Sequence, residues 1–412
     1  MVSPPTLSAP SADERARLLS IGFINFAHAI DHYVMLILAT VVIELTTVYG
    51  WSYAELIALG TPSFIAFGVF SLPAGWLGDR WSRRNMMALF YLGCGASLAG
   101  AALAPSPLVL AVALSALGMF AAIYHPVGTA MLIEQATSRG RSLAFNGVCG
   151  NLGVALAAGT TAVLVYGLGW RGAFLVPAVV CVATGVAYLW LIPADRHQAA
   201  GRTATPEVVF APWLAATIVA LFVLIAISAG LVFHVTTVAL PKIVDERLGL
   251  SISLMQVGGI ATLILMCGAL AQLTIGRLVD RFQLHLLFAA VALLQFIGVA
   301  WSAYASGPML IVALAVAVAA IYAQVTVNDL VIARYTADAW RSRVFAVRYF
   351  LTFVVSGVAV SLIALLHGRG GFDLVLGFAA IIALGFVIGT AAIAALVHGA
   401  EKERAQVAAP AE

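Results

Sequence analysis

The chain has 412 residues, 63% of them hydrophobic and 9% charged, with a mean hydropathy of +1.05 and a formal net charge of +3. So few charges cannot coat a soluble protein of this size, which makes the chain a polytopic membrane protein. The small positive balance is not gathered into a basic patch, so no nucleic-acid partner is expected.

A Pro/Ser/Ala-rich stretch runs through Ala12, followed by Asp13-Glu14-Arg15-Ala16-Arg17. No apolar core precedes a small-residue cleavage site, so no removable signal peptide is expected. Apolar runs of roughly 20 residues, the length that crosses hydrocarbon, then fall near 20–45, 54–78, 85–104, 108–133, 143–166 and 171–193. A second set falls near 212–240, 252–275, 285–304, 308–333, 345–366 and 373–397. Between the sets lies a short polar stretch with Asp195, Arg196, His197, Arg202 and Glu207. The division expected is an N-terminal bundle over 1–193, a linker over 194–212, and a C-terminal bundle with a short tail over 213–412.

Lys and Arg placement sets the orientation. With both termini on one side, sixteen of these residues fall in the loops of that side and four on the other, Arg348 lying within a span. Both termini are therefore expected in the cytoplasm, in a cell's inner (plasma) membrane. Cys94, Cys149, Cys181 and Cys267 stand singly within apolar runs and read as packing residues.

The loop after the second run is Gly75-Trp76-Leu77-Gly78-Asp79-Arg80-Trp81-Ser82-Arg83-Arg84. Gly276-Arg277-Leu278-Val279-Asp280-Arg281 repeats its Gly-x-Leu-x-Asp-Arg core 201 residues later, counted from Asp79 to Asp280. Arg139-Gly140-Arg141 is echoed by Arg341-Ser342-Arg343, and Gly50-Trp51-Ser52 by Gly249-Leu250-Ser251. Near-constant spacing implies two halves of like topology, a known plan for secondary transporters.

The loop Gly75-x-Leu77-x-Asp79-Arg80-x-x-Arg83-Arg84 resembles the signature between the second and third helices of the major facilitator superfamily; the second copy lacks the trailing Arg-Arg. The resemblance implies an all-α integral membrane protein: twelve transmembrane helices in two pseudo-symmetric six-helix bundles around a central cavity, working by alternating access. It also implies gating, with Asp79, Arg80 and Arg83 bridging the bundles at the cytoplasmic face in the outward-open state and Asp280 and Arg281 mirroring them more weakly. Arg84 reads as a positive-inside anchor.

In the first span Asn25, His28, Asp31 and His32 fall within about 120° of one helix face at 100° per residue. A charge at mid-membrane costs about 3 kcal/mol, so Asp31 needs a cavity, a partner or a proton. The partners expected are His28 and His234. A carboxyl beside imidazoles can take a proton on one side of the membrane and release it on the other; the structural alternative is that Asp31 only locks its helix.

The fourth span carries Tyr124-His125-Pro126, where proline is expected to kink the helix and aim His125 at either a ligand or a stabilising hydrogen bond. The fifth carries Asn146 and Asn151 among Gly147, Gly150, Gly153 and Gly159, whose spacing lets helices approach closely. The stretch from Tyr124 to Gly153 resembles fosmidomycin-resistance-type members of the superfamily. The Gly-Pro pair and fourth-span arginine typical of proton-coupled drug antiporters are missing. In the second half Gln324 and Asn328 lie one turn apart, and Asp329 and Arg348 are expected to pair near the cytoplasmic mouth. His285, His367 and His398 read as interfacial.

No nucleotide-binding loop of the Gly-x-x-x-x-Gly-Lys type occurs, so neither ATP nor any cofactor is expected. An enzyme is not expected either. The reading is a monomeric, proton-coupled carrier of a small organic molecule, with export slightly favoured. The alternative is uptake of a transition metal, a metal chelate or an organic anion through His28, Asp31, His32 and His234, although no sharper metal motif is present.

Overall fold

The computed structural model describes residues 12–194, 212–249, 251–335 and 338–408, all of whose regular structure is helical. Positions 195–211 of the expected linker lie outside the described residues. The first half contains α1 (Ala12–Tyr49), α2 (Tyr53–Ala58), α3 (Thr61–Arg80), α4 (Arg83–Ala102), α5 (Pro107–Ala121), α6 (Thr129–Gln135) and α7 (Arg139–Leu191). The second contains α8 (Pro212–Arg247), α9 (Leu254–Val279), α10 (Leu284–Tyr304), α11 (Gly307–Tyr335) and α12 (Asp338–Ala408).

Among the described residues ten helical stretches are long and apolar enough to cross a membrane. Two of them are too long to do so once. At 1.5 Å per residue the 53 residues of α7 would extend about 80 Å against about 30 Å of hydrocarbon. Each folds back at a glycine whose backbone is left-handed, Gly169 (φ 71°) in α7 and Gly371 (φ 61°) in α12, a conformation that a side chain would strain. Counting each as two crossings gives twelve.

The duplication extends to local chemistry. Gly50 ends α1 at φ 67° and Gly249 ends α8 at φ 73°. Ser52 then opens α2 by capping Glu55, and Ser253 opens α9 by capping Gln256, each as a reciprocal capping box. The capping serines are thus 201 residues apart, the same offset as the loop motif; Ser253, rather than Ser251, is the counterpart of Ser52.

The halves meet along two matched seams, α3 with α12 and α7 with α9. Each seam has glycine on both sides. A Cβ on Gly68 would lie 3.0 Å from the Phe353 carbonyl oxygen, and one on Gly357 2.7 Å from Ile65 Cγ1. In the other seam a Cβ on Gly258 would lie 2.7 Å from the Ala158 carbonyl oxygen, and one on Gly159 2.8 Å from Thr262 Oγ1. Without lipid-side hydrophobic drive, such bare backbone contacts let dispersion and hydrogen bonds hold helices together; Gly159 N–H donates to Thr262 Oγ1 at 3.0 Å.

The face away from the termini is sealed. Ser361 Oγ lies 3.4 Å from Thr61 Oγ1 across the α3–α12 seam. Tyr53 of the first half packs on His367 and Phe372 of the second, with Lys242 Nζ 5.9 Å above its ring. Glu246 joins this group, 3.1 Å from His367 Nε2 and 3.3 Å from Lys242 Nζ. His285 lies in the first turn of α10, at a span end as expected, with its side chain buried.

Candidate functional site

At mid-span a polar centre gathers side chains from α1, the fourth span and α7. Tyr124–Gly128 forms a single π turn between α5 and α6. Pro126 has no N–H to continue an α ladder, so the turn widens by one residue. This moves His125 toward α1, where its Nε2 lies 3.3 Å from Asp31 Oδ2, in ion-pair range but off the line of a hydrogen bond. Asp31 is 0% exposed. The partner of Asp31 is therefore His125, not the His28 or His234 expected. His28, one turn back on α1, is drawn the other way, onto α7.

The draw is Asn146. Its backbone carbonyl lies 2.7 Å from His28 Nδ1, its Nδ2 donates to Asn25 Oδ1 at 2.9 Å, and its Oδ1 accepts from Tyr124 Oη at 3.0 Å. One asparagine thus ties α1, the π turn and α7 together. Gly150, a turn further along α7, leaves room for the imidazole: a Cβ there would lie 2.5 Å from His28 Nε2. His28 stacks on Tyr124 with ring centroids 4.7 Å apart, and its Nε2 is 3.2 Å from His32 Nε2. Donor nitrogens of His28, His32 and His125 all lie within 4.8 Å of one another.

The second half covers this centre with an aromatic side chain. Phe353 of α12 lies over His125 at 4.9 Å and meets Phe67 of α3 edge-on at 5.1 Å, while Phe67 sits edge-on to His125 at 5.9 Å. His28, His32, His125 and His234 are partly exposed, whereas Asn25, Asp31, Tyr124 and Asn146 are buried behind them. The imidazoles, not the carboxyl, form the accessible surface. His234 packs against Phe233 and Phe64 and joins neither Asp31 nor the imidazole trio.

Asn151 donates to Gln272 of α9, a polar tie across the second seam. Gln272 was not singled out from sequence, since a lone amide in an apolar run carries no pattern. On α11 Gln324 and Asn328 are both buried, and Asp329 pairs with Arg348 of α12. In the charged loop, Arg83 Nη2 lies 2.7 Å from Asp79 Oδ1 and Arg83 Nη1 3.0 Å from Glu134 Oε2 of α6, so this network stays within the first half in this conformation. Gly75 packs on Pro126, where a Cβ would lie 3.1 Å from the ring, linking the loop helix to the π turn. Arg80 lies over Trp76, its guanidinium 4.6 Å from the ring centre. Arg84 donates to the carbonyl of Ile192 at 2.8 Å, capping the end of α7. Gly276, Asp280 and Arg281 are exposed, and neither charge pairs with another described residue.

Two six-helix halves sealed on one face, with a buried polar centre where they meet, define the architecture of a membrane carrier. The sequence profile of the Major Facilitator Superfamily matches residues 21–322, and the chain belongs to that superfamily. Among solved structures it is similar to a bacterial homologue of the human lysosomal transporter Spinster in an inward-facing, occupied conformation, with TM-score 0.75 and 13% identity over 94% of this chain and 98% of that one. It is also similar to a D-xylose–proton symporter, with TM-score 0.71 and 15% identity over 90% of this chain and 96% of that one. A nucleoside transporter gives TM-score 0.72 and 14% identity over 91% of this chain and 99% of that one. At these identities the likeness establishes the fold. No match was found among curated proteins.

Proposed function

We propose that the protein is a monomeric, proton-coupled carrier of a small organic molecule in the inner (plasma) membrane, with both termini cytoplasmic. The observation that carries this reading is the Asp31–His125 contact, a carboxyl fully buried at mid-span and held against an imidazole from another helix. Intramembrane acids are expensive and mark ion or proton pathways by default. Phe353 belongs to the opposite half, so rocking of the halves changes what covers His125. Export is favoured over uptake by the fosmidomycin-resistance-like stretch from Tyr124 to Gly153. With the termini cytoplasmic, the sealed face is the outer one.

The test is flux in proteoliposomes under an imposed pH gradient, using compounds first selected by thermal shift of the purified protein across pH. Asp31→Asn is expected to abolish gradient-driven flux while the protein remains folded and monodisperse. Undiminished proton-driven flux in that variant would remove Asp31 from the mechanism. The gating reading of the charged loop is that Asp79, released from Arg83 of its own half, engages the second half when the inner face closes.

A further inference from the structure

We propose that His28, His32 and His125 form a binding site for a divalent transition-metal ion of the zinc, cobalt and nickel class. The inference rests on the carrier reading for access to the site but not on proton coupling. Imidazole nitrogens bond to such ions at about 2.0–2.1 Å, so two of them on a tetrahedral centre stand about 3.3 Å apart. His28 Nε2 and His32 Nε2 are 3.2 Å apart, one helical turn from each other on α1. The third donor, from the π turn, lies within 4.8 Å of both, a gap closed by small side-chain rotations.

The surroundings of the rings have the character of an outer ligand shell. Histidines that bind metal present their other ring nitrogen to a carbonyl or carboxylate, which fixes the ring and the tautomer. His28 Nδ1 faces the Asn146 carbonyl oxygen at 2.7 Å, which leaves the Nε2 lone pair for an ion. His125 is held by the Asp31 carboxylate. Gly150 lets the His28 ring lie against bare backbone, so the position of Nε2 is set by α7 rather than left to rotamer choice. Tyr124, Phe67, Phe353 and Asp31 lie against the three rings, none of them cationic, and the imidazole of His234 is within electrostatic range of His32. Imidazole with carboxylate nearby suits zinc, nickel and cobalt over magnesium or calcium. The competing account of the 3.2 Å contact is a plain hydrogen bond between neutral imidazoles, which needs no ion.

The test uses tag-free, chelator-treated protein in detergent, titrated with Co²⁺ at mildly alkaline pH and then with Zn²⁺. Expected are the visible absorption bands of four-coordinate Co²⁺ at one ion per chain, displaced by Zn²⁺. His28→Gln and His32→Gln should each weaken binding about tenfold or more, whereas His234→Gln should leave it unchanged. A second measurement needs no variant: Zn²⁺ should protect His28, His32 and His125 of the wild-type protein from diethyl pyrocarbonate, read by mass spectrometry, while the exposed His398 stays reactive. Absence of Co²⁺ and Zn²⁺ binding by the wild-type protein overturns the proposal, as does protection that spares the trio. Because binding is read without a gradient, its failure leaves the carrier reading standing, and a failure of proton-driven flux leaves the metal site standing.

Discussion

At the scale of single residues, Asn146 decides the shape of the centre. Its side chain satisfies Asn25 and Tyr124 at once, so Asn146→Ala leaves two buried polar groups without a partner. Each such loss costs about 1–3 kcal/mol, and a fall in the thermal midpoint of the purified protein is the expected reading. His28 keeps its contact with the backbone carbonyl in that variant, so metal binding should persist at reduced affinity. Gly150→Ala acts in reverse. The three heavy atoms nearest the added methyl all belong to the His28 imidazole, so it should displace the ring, with a large loss of metal affinity and a small change in thermal stability. Equal losses of stability in both variants would show that Gly150 serves packing alone.

The residues of this centre were legible from sequence, but not their pairing. Period and spacing put Asn25, His28, Asp31 and His32 on one face and made Asp31 stand out as costly. They suggested His28 as its partner because helical neighbours three apart are adjacent. What they omit is the pull of α7 on His28 and the one-residue widening at Pro126, both products of contacts between helices. Gln272, Glu134 and Phe353 were missed for the same reason: an amide, a span-end acid and a phenylalanine acquire meaning only through what they meet.

At the scale of elements, two devices set geometry. The first is the π turn. Pro126→Ala restores the missing backbone donor and favours ordinary α winding, which rotates His125 by up to about 100° around the helix, away from Asp31. Gradient-driven flux should fall sharply while the thermal midpoint stays near that of wild type; unaltered flux would mean that the wide turn is incidental. The second is the fold-back at Gly169 and at Gly370–Gly371. The sequence divided the spans correctly at both places, near 166–171 and 366–373, because each bend carries glycine and an arginine, Arg171 or Arg369. That helical backbone continues almost unbroken through the bends was not foreseeable, since a glycine turn and a polar loop look alike in sequence. The packing of α5 on α3 is another close approach. A Cβ on Gly118 would fall 1.9 Å from the Ser63 carbonyl oxygen, so Gly118→Ala should destabilise the fourth span by about 1–3 kcal/mol through overpacking.

At the scale of the whole molecule, the duplicated sequence predicts the duplicated seams. Gly68 and Gly357 in one, and Gly159 and Gly258 in the other, bring bare backbone to both sides of each seam. Such seams slide or part without unpacking a side-chain core, which fits halves that move as rigid bodies. A covalent tie across the sealed face tests this. Thr61→Cys with Ser361→Cys places two thiols where the hydroxyl oxygens are 3.4 Å apart, and oxidation should stop flux, with recovery on reduction. Flux that continues through the cross-linked protein would contradict rocking about this seam. Asp79→Ala should slow turnover with little loss of substrate affinity, because among the described residues the carboxylate pairs with Arg83 of its own half.

Phe353 lies over His125 although it is borne by the other half of the chain. Parting of the halves on this face and hydration of the imidazoles are therefore a single event. A carrier built in this way needs no separate valve against leakage, because the lid over its polar heart is carried off by the motion that admits the cargo. Substituting the phenyl ring with a smaller side chain would then trade tightness for speed, and trade it only for species that reach the imidazoles.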